Sequence, residues 1–374
     1  MTAPIRIGIV GCGNIADNHV AAYRAAEGAE VVGVCDVDLA RAQVFAAERS
    51  IPAAASSVAE LLAMGVDAIS VCTPHPTHEE VVVSAARAGV HVLCEKPVST
   101  SAAAAVRMIE EAEAAGVTFG VVFQRRFWPG AQRVQQALGD GTLGTPMLGH
   151  CRVLLHRGRD YYDSAPWRGT WEADGGGVLI TQAIHYIDLL QWFMGEPVEV
   201  YGRAGAFTLA DSIEVEDTAS AVITFASGAI ATLSATVAAT PNLGSELTIT
   251  GSTGATVTIG EYPEGSDADV EIWAVPGQER ATSVLAAGGF RPDKSVGEVN
   301  AALQHLHRHQ IEDFVEAIRE GRAPAVTGAE ALRSLQIVEA AYASARTGQP
   351  VRLRELGDEP RMFEHLPVHE EALA

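Results

Sequence analysis

Basic residues are scarce in this chain. Its 374 residues carry 26 Lys and Arg against 47 Asp and Glu, a formal net charge of −21. So acidic a surface repels phosphate backbones and anionic lipid, which argues against nucleic acid or a membrane surface as partner. Long apolar runs are absent as well, and none reaches the ~18 uninterrupted apolar residues of a membrane span. The start, Met1-Thr2-Ala3-Pro4-Ile5-Arg6-Ile7, lacks a basic segment followed by an apolar one, so no secretory signal is expected. Cysteine is limited to Cys12, Cys35, Cys72, Cys94 and Cys151, an odd number with no Cys-x-x-Cys pair. Four of these lie in apolar runs. That predicts buried free thiols in a reducing, cytoplasmic compartment rather than disulfides or a metal site. No internal repeat is found. Apolar residues at 48% and charged residues at 20% are ordinary for a globular chain, and the length suits two or three domains.

What is present falls into two textures. Up to about residue 122, short β-branched runs alternate with Ala-rich segments long enough for crossover helices. The runs are Ile5–Val10, Val31–Cys35, Ala68–Cys72, Val90–Cys94 and Val117–Val121. Each is nearly all apolar, as strands covered on both faces must be. This predicts an α/β domain with a doubly wound parallel sheet over residues 1–123. After Gln124 the chain turns to Arg, Trp and Gly, then to a helix over 178–194. From Val198 to Trp273 the period is two: Val215, Ala219, Ala221 and Ile223 alternate with polar neighbours, and Ser227-Gly228 turns into Ile230–Val237. Strands without intervening helices imply an antiparallel sheet. Helices over 301–320 and 329–346 follow. Residues 124–356 are thus expected to form a second, α+β domain, and 357–374 an acidic tail.

Gly11-Cys12-Gly13-Asn14-Ile15-Ala16 follows the first strand and opens a helix. Gly11 suits the tight turn, Gly13 lets backbone approach a pyrophosphate, and Ala16 keeps helix and strand close. A pyrophosphate would sit over Gly13, Asn14 and Ile15, where free N–H groups and the helix dipole favour an anion. Asp36 ends the second strand, where a carboxylate accepts hydrogen bonds from the adenosine ribose; its other reading is a helix N-cap. Asp38 adds negative charge and no Arg or Lys lies between Asp36 and Arg41, so NAD is favoured over NADP.

Two further motifs end apolar strands, at the carboxyl edge where ligands bind in parallel sheets. One is Thr73-Pro74-His75-Pro76-Thr77-His78; the other is Glu95-Lys96-Pro97. Lys96 directly after an apolar strand is either a functional cation or a snorkelling surface residue. Pro97 stiffens the backbone and allows a cis bond. Later, Gly175-Gly176-Gly177 runs into Thr181-Gln182-Ala183-Ile184-His185-Tyr186-Ile187-Asp188.

In these four motifs the chain resembles the glucose–fructose oxidoreductase/inositol dehydrogenase (Gfo/Idh/MocA) family from residue 5 to about 353. The resemblance implies a Rossmann domain followed by a domain with an open-faced, mainly antiparallel sheet, with nicotinamide and a polyhydroxylated substrate between them. It implies cofactor contacts from Thr73, Pro74, His78, Glu95 and Lys96, and a substrate faced by Lys96 and His185. Chemistry agrees: histidine has the pKa of a base near neutrality, and a cationic lysine stabilises a developing alkoxide. The alternative for His185 is a structural residue partnered by Asp188 one turn on. Inositol-type relatives carry Asp four residues before the histidine, whereas this chain has Thr181, and the Thr181-Gln182 pair resembles the branch acting on pyranosides or nucleotide sugars.

Gln124, Arg126, Trp167, Arg168, Thr181 and Gln182 are the further substrate candidates. Tyr161, Tyr162, His156, Arg157 and Arg159 fill the intervening loop, a mixture suited to sugar faces and hydroxyls, or to an anionic substituent. Salt bridging is the other reading of the arginines. His305, His307 and His309 alternate on a helix, so they do not share one face and a metal site is not expected. The leading function is an NAD-dependent sugar, sugar-derivative or cyclitol dehydrogenase. Its rivals are a redox-neutral NAD-dependent glycosidase and a non-catalytic NAD-binding regulator. A homodimer or homotetramer is expected, because one face of the antiparallel sheet, carrying Ala221, Ile223 and Phe225 or their alternates, needs a cover.

Overall fold

The computed structural model describes residues 3–165, 167–277, 280–281 and 294–353; the expected acidic tail lies outside them. The chain divides into two compact units, residues 1–124 with 300–332, and residues 125–299 with 333–374.

The first unit holds a six-stranded sheet of β1 (Ile5–Val10), β2 (Ala29–Cys35), β3 (Ala53–Ala55), β4 (Ala68–Val71), β5 (His91–Cys94) and β6 (Phe119–Val121). Its order is β3-β2-β1-β4-β5-β6, and every pair is parallel. Ile7, Ile9, Ile69 and Val92 are wholly buried, so helices cover both faces, as the apolar runs require. The Asp38, Ser57 and Ser101 side chains cap three of those helices by accepting N–H bonds from Arg41, Glu60 and Ala104, about 1 kcal/mol each. The strand Ala53–Ala55 is an addition to the expected five. Three alanines carry no β-branched signal.

The helix Gln304–Glu320 belongs to this unit too. Its Ile311, Phe314 and Val315 share one core cluster with Ile7, Ile9 and Tyr23, and Gln310 Nε2 donates to Val121 O at 2.7 Å. The linear reading placed everything beyond 123 in the second domain. Periodicity shows that a helix has a buried face, but not what that face packs on.

The second unit holds a nine-stranded sheet of β7 (Pro146–Leu154), β8 (Pro197–Gly205), β9 (Thr218–Phe225), β10 (Ile230–Thr236), β11 (Gly244–Gly251), β12 (Thr256–Glu261), β13 (Asp269–Ala274), β14 (Arg280–Ala281) and β15 (Val351–Arg352). The order is β14-β13-β12-β11-β7-β10-β9-β8-β15; β7 and β10 are parallel and the other neighbours antiparallel. Ala219, Ala221, Ile223 and Phe225 are buried on the face covered by the helix Ile184–Met194. A Cβ on Gly149 would come within 3.0 Å of both Leu190 and Ala231, so only glycine lets helix and sheet approach this closely. The open face is therefore formed by the alternates. It exposes Leu148, Tyr201, Val222, Ile230 and Ile272 among threonine pairs such as Thr248–Thr258 and Thr250–Thr256.

All five cysteines are buried and free, with burial pushing each thiol pKa upward. No helix among the described residues is long and apolar enough to cross a membrane.

Candidate active site

The turn after β1 has the shape its glycines require. Gly11 sits at φ +94°, and a Cβ there would lie 2.8 Å from the Cys72 carbonyl, so any larger residue is excluded. A Cβ on Gly13 would meet nothing within 4 Å; this backbone faces open space. Asn14 is exposed, Ile15 half-buried, and Ala16 wholly buried at the start of its helix. Asp36 is 7% exposed and accepts Cys12 N–H at 3.0 Å and Asp38 N–H at 2.9 Å. The Asp36 side chain therefore faces the glycine turn, while the N-cap role falls to Asp38. An open backbone at a helix N-terminus beside a buried carboxylate fits a dinucleotide. Arg41 reaches Asp36 at 3.5 Å and Asp38 at 3.8 Å, a pairing that sequence spacing does not reveal.

At the edge of β4 and β5, His78 is wholly buried. Its Nδ1 and Nε2 lie 3.0 and 2.9 Å from the Pro97 and Thr73 carbonyls. The ring ties the two strand-end loops together, and burial lowers its pKa. A neutral imidazole donates to only one of these carbonyls at a time. His78 is thus an anchor for the loop rather than a side chain offered to a cofactor. Thr73 accepts the Thr77 hydroxyl at 2.7 Å; Pro74 is exposed and Lys96 half-buried. The Lys96–Pro97 bond is cis.

Glu95 also turns inward. Oε1 accepts His19 Nε2 at 2.9 Å and lies 3.7 Å from His307 Nε2, while Oε2 accepts Lys96 N–H at 3.1 Å. His19 Nδ1 is 3.1 Å from Ser70 Oγ, which lies 2.9 Å from the Tyr23 hydroxyl. Burial alone would raise the Glu95 carboxyl; the His19 and His307 imidazoles outweigh it and hold the pKa well below the usual carboxylate range. Two expectations change here. Glu95 is a buried network member rather than a cofactor contact. His307, on a helix expected to be solvated or at an interface, is 2% exposed and joins this network, whereas His305 and His309 are exposed. No metal site was expected, yet the ligand atoms of His19, Glu95 and His307 lie within 4.8 Å of one another. The direct His19–Glu95 hydrogen bond already engages two of the three.

In the second unit, His185 is 5% exposed at the start of the helix Ile184–Met194, directly after a π-helical turn over Leu179–Ala183. Such turns recur at functional sites. Thr181 Oγ1 donates to Gly177 O at 2.6 Å and touches Gln182 Oε1. Gln182 Nε2 donates to the Tyr161 hydroxyl at 3.4 Å, as does Arg168 at 2.6 Å. The Arg168 guanidinium lies over the rings of Tyr161 and Trp167, 4.4 and 4.5 Å from their centroids. The structure thus gathers Thr181, Gln182, Trp167 and Arg168 around Tyr161. A cavity of about 560 Å³ opens beside them, lined by Tyr162, Arg168, Thr170, Ser212 and Glu214 among others.

Arg126 does not join this group. It is 2% exposed and forms a bidentate pair with Asp188 at 2.7 and 2.8 Å. Asp188 also accepts from Gln191 and Ser334, and its carboxylate anchors Arg126. Arg157 is likewise committed, to Glu264 at 2.8 Å, so the salt-bridge reading holds for it; Arg125 pairs with Glu261 at 3.0 Å. Arg159 is exposed. Gln124 is buried in the first unit, and its Oε1 has no partner among the described residues. Sequence reasoning missed Glu216, which is wholly buried and bonded to the glycine turn before His185. Nothing in its local pattern marks it.

Two family models match the chain. One, an oxidoreductase family NAD-binding Rossmann fold, covers residues 5–123; the other, the C-terminal alpha/beta domain of that oxidoreductase family, covers 135–353. The D-apiose dehydrogenase of Paraburkholderia graminis is 31% identical over 93% of this chain and 89% of its own length. The myo-inositol 2-dehydrogenase of Thermotoga maritima is 27% identical over 94% of this chain and 99% of its own. Among solved structures, the WlbA dehydrogenase of Bordetella pertussis, in complex with NADH and UDP-GlcNAcA, aligns with a TM-score of 0.79 at 32% identity, over 93% of this chain and 98% of that one. The chain therefore belongs to the Gfo/Idh/MocA family of NAD-dependent oxidoreductases.

Proposed function

We propose that this protein oxidises a secondary hydroxyl of a sugar, sugar derivative or cyclitol, with His185 as the base and Lys96 stabilising the alkoxide. The observation that carries this reading is the turn before His185. It gathers Thr181, Gln182, Tyr161, Trp167 and Arg168, which offers aromatic faces for a sugar ring and polar groups for its hydroxyls. When bound, NAD accepts the hydride. Gly11, Gly13, Asn14, Ile15 and Asp36 hold it, with Thr73 and Pro74 at the neighbouring strand edge. The His185 imidazole takes the hydroxyl proton as the carbon–hydrogen bond breaks. The Lys96 ammonium donates to the oxygen as its charge develops, a role whose loss costs about 10²–10³ in rate.

Of the clustered arginines, Arg126 and Arg157 already hold carboxylates. An anionic substituent would fall to Arg168. The open sheet face, with Leu148, Tyr201, Val222, Ile230 and Ile272 exposed, supports a homodimer or homotetramer. Five buried free thiols suit the cytoplasm. A screen of NADH formation across cyclitols, hexoses, uronates and glycosides tests the reading: turnover of one of these classes is expected. NAD binding without turnover on any of them would overturn it in favour of a regulator.

A further inference from the structure

The chain has no carboxylate at Thr181, four residues before His185, yet the structure brings one to the same turn. Glu216, just before β9, is wholly buried. Its Oε2 accepts Gly177 N–H at 2.8 Å. Its Oε1 accepts Leu179 N–H and the Tyr342 hydroxyl, both at 2.9 Å. Val178 N–H bonds the Glu216 carbonyl at 3.1 Å, so three successive residues entering the π-helical turn are held by this one residue. The contact has no slack. A Cβ on Gly177 would lie 1.8 Å from Glu216 O, and one on Gly176 would lie 2.1 Å from the Tyr342 hydroxyl.

We propose that Glu216 is a positioning residue for His185: its carboxylate fixes the backbone from Gly177 to Leu179 that leads into the histidine's helix, and it does so only when ionised. An ionised carboxylate is purely an acceptor, and here it meets three donors. A protonated one carries its own hydrogen: the Tyr342 hydroxyl must turn round to accept it or a backbone N–H meets a poorer acceptor, so the hold on the turn weakens. The groups facing Glu216 are titratable but uncharged at neutral pH: Tyr342 from the helix Gly328–Thr347 and Tyr162 from the loop helix Arg159–Asp163. Asp217, its neighbour, turns instead to the N–H groups of Phe207, Thr208 and Leu209. No cation pairs with Glu216 among the described residues. Burial therefore dominates, and it pushes the carboxyl up to about 7 even though Leu179, Tyr342 and Gly177 all bond it. The clamp releases as pH falls through neutrality.

This inference rests on His185 being the base, so its test includes readouts that do not need turnover. With the substrate found in the NADH screen, kcat of the wild type should fall below about pH 7 while KM for NAD stays level. Glu216→Gln should lower kcat about ten- to a hundredfold, the cost of a slightly misplaced catalytic group, and leave only the acid limb of the His185 base itself. Tyr342→Phe removes a donor from the charged form and should move the acid limb up by about one pH unit. In the full-length protein, infrared difference spectra of wild type against Glu216→Gln should show one carboxyl titrating near neutrality. The His185 ring resonances should shift with the same midpoint. A Glu216 carboxyl that ionises in the ordinary carboxylate range overturns the proposal, as does wild-type kcat in Glu216→Gln together with an unmoved acid limb in Tyr342→Phe. If Glu216→Gln fails to fold, Tyr342→Phe and the His185 resonances still decide. Failure of every substrate refutes the dehydrogenase reading and leaves those spectroscopic midpoints to rule on Glu216.

Discussion

Arg126 separates two accounts of the arginine cluster, because a substrate ligand and a structural ion pair respond differently to deletion. Its guanidinium and the Asp188 carboxylate are 2% and 0% exposed and meet through two bonds at 2.7 and 2.8 Å. Arg126→Ala would leave Asp188 buried without its cation, a loss that typically costs 3–5 kcal/mol. Gln191 at 3.2 Å and Ser334 at 3.1 Å still donate to Asp188, which places the expected loss near 3 kcal/mol, the lower end of that range. At roughly 2–4 °C per kcal/mol for a unit of this size, the melting temperature should fall by about 6–12 °C. Scanning calorimetry reads this directly. The double variant Arg126→Met with Asp188→Leu should recover most of the loss, since well-packed apolar side chains often replace a buried pair without cost. A melting temperature unchanged in Arg126→Ala, with KM for substrate raised tenfold or more, would refute the argument and restore Arg126 to the substrate.

Lys96→Ala should reduce turnover by about 10²–10³ and leave NAD affinity, measured by fluorescence quenching, within a factor of two or so; wild-type turnover would remove the lysine from the mechanism. Asp36→Ala should weaken NAD and improve NADP, because it removes a carboxylate at the ribose site and frees Arg41, now 3.5 Å away, for a 2′-phosphate. Adding Arg41→Ala should cancel the NADP gain, which titration with both cofactors would show. Light scattering at micromolar concentration should give at least twice the 39.3 kDa chain mass, and Val222→Lys on the open sheet face should lower it; a monomer mass for the wild type would leave that face without a partner.

The first sheet and the strands of the second beyond Val198 were legible because each writes a period into the sequence, whereas β7, parallel to β10 in mid-sheet, was not. Nearly all-apolar runs mark β1, β2, β4, β5 and β6, and alternation at Ala219, Ala221 and Ile223 marks a strand with one covered face. The glycine turn was legible because Gly11 is required by sterics and Gly13 by the close approach of a pyrophosphate. What was not legible is pairing at a distance. Arg126 and Arg168 look alike in sequence, yet one meets Asp188, 62 residues on, and the other meets Tyr161. Glu95 in an apolar strand end and Glu216 in an ordinary acidic stretch become buried acceptors only once His19, Gly177 and Leu179 converge on them. Residue type tells which partner a group needs, but the fold decides which one it gets.

The first unit is discontinuous, and this has a consequence for how the protein is made. Its sheet is complete once β6 ends at Val121, but Ile311, Phe314 and Val315 of its core come from the helix Gln304–Glu320. A ribosome adding 5–20 residues per second needs roughly 10–40 s to cover the intervening stretch. Throughout that interval the newborn dinucleotide-binding sheet stands with part of its apolar surface bare. It cannot finish packing in the order in which it is translated, and its core closes only once the helix Gln304–Glu320 has emerged.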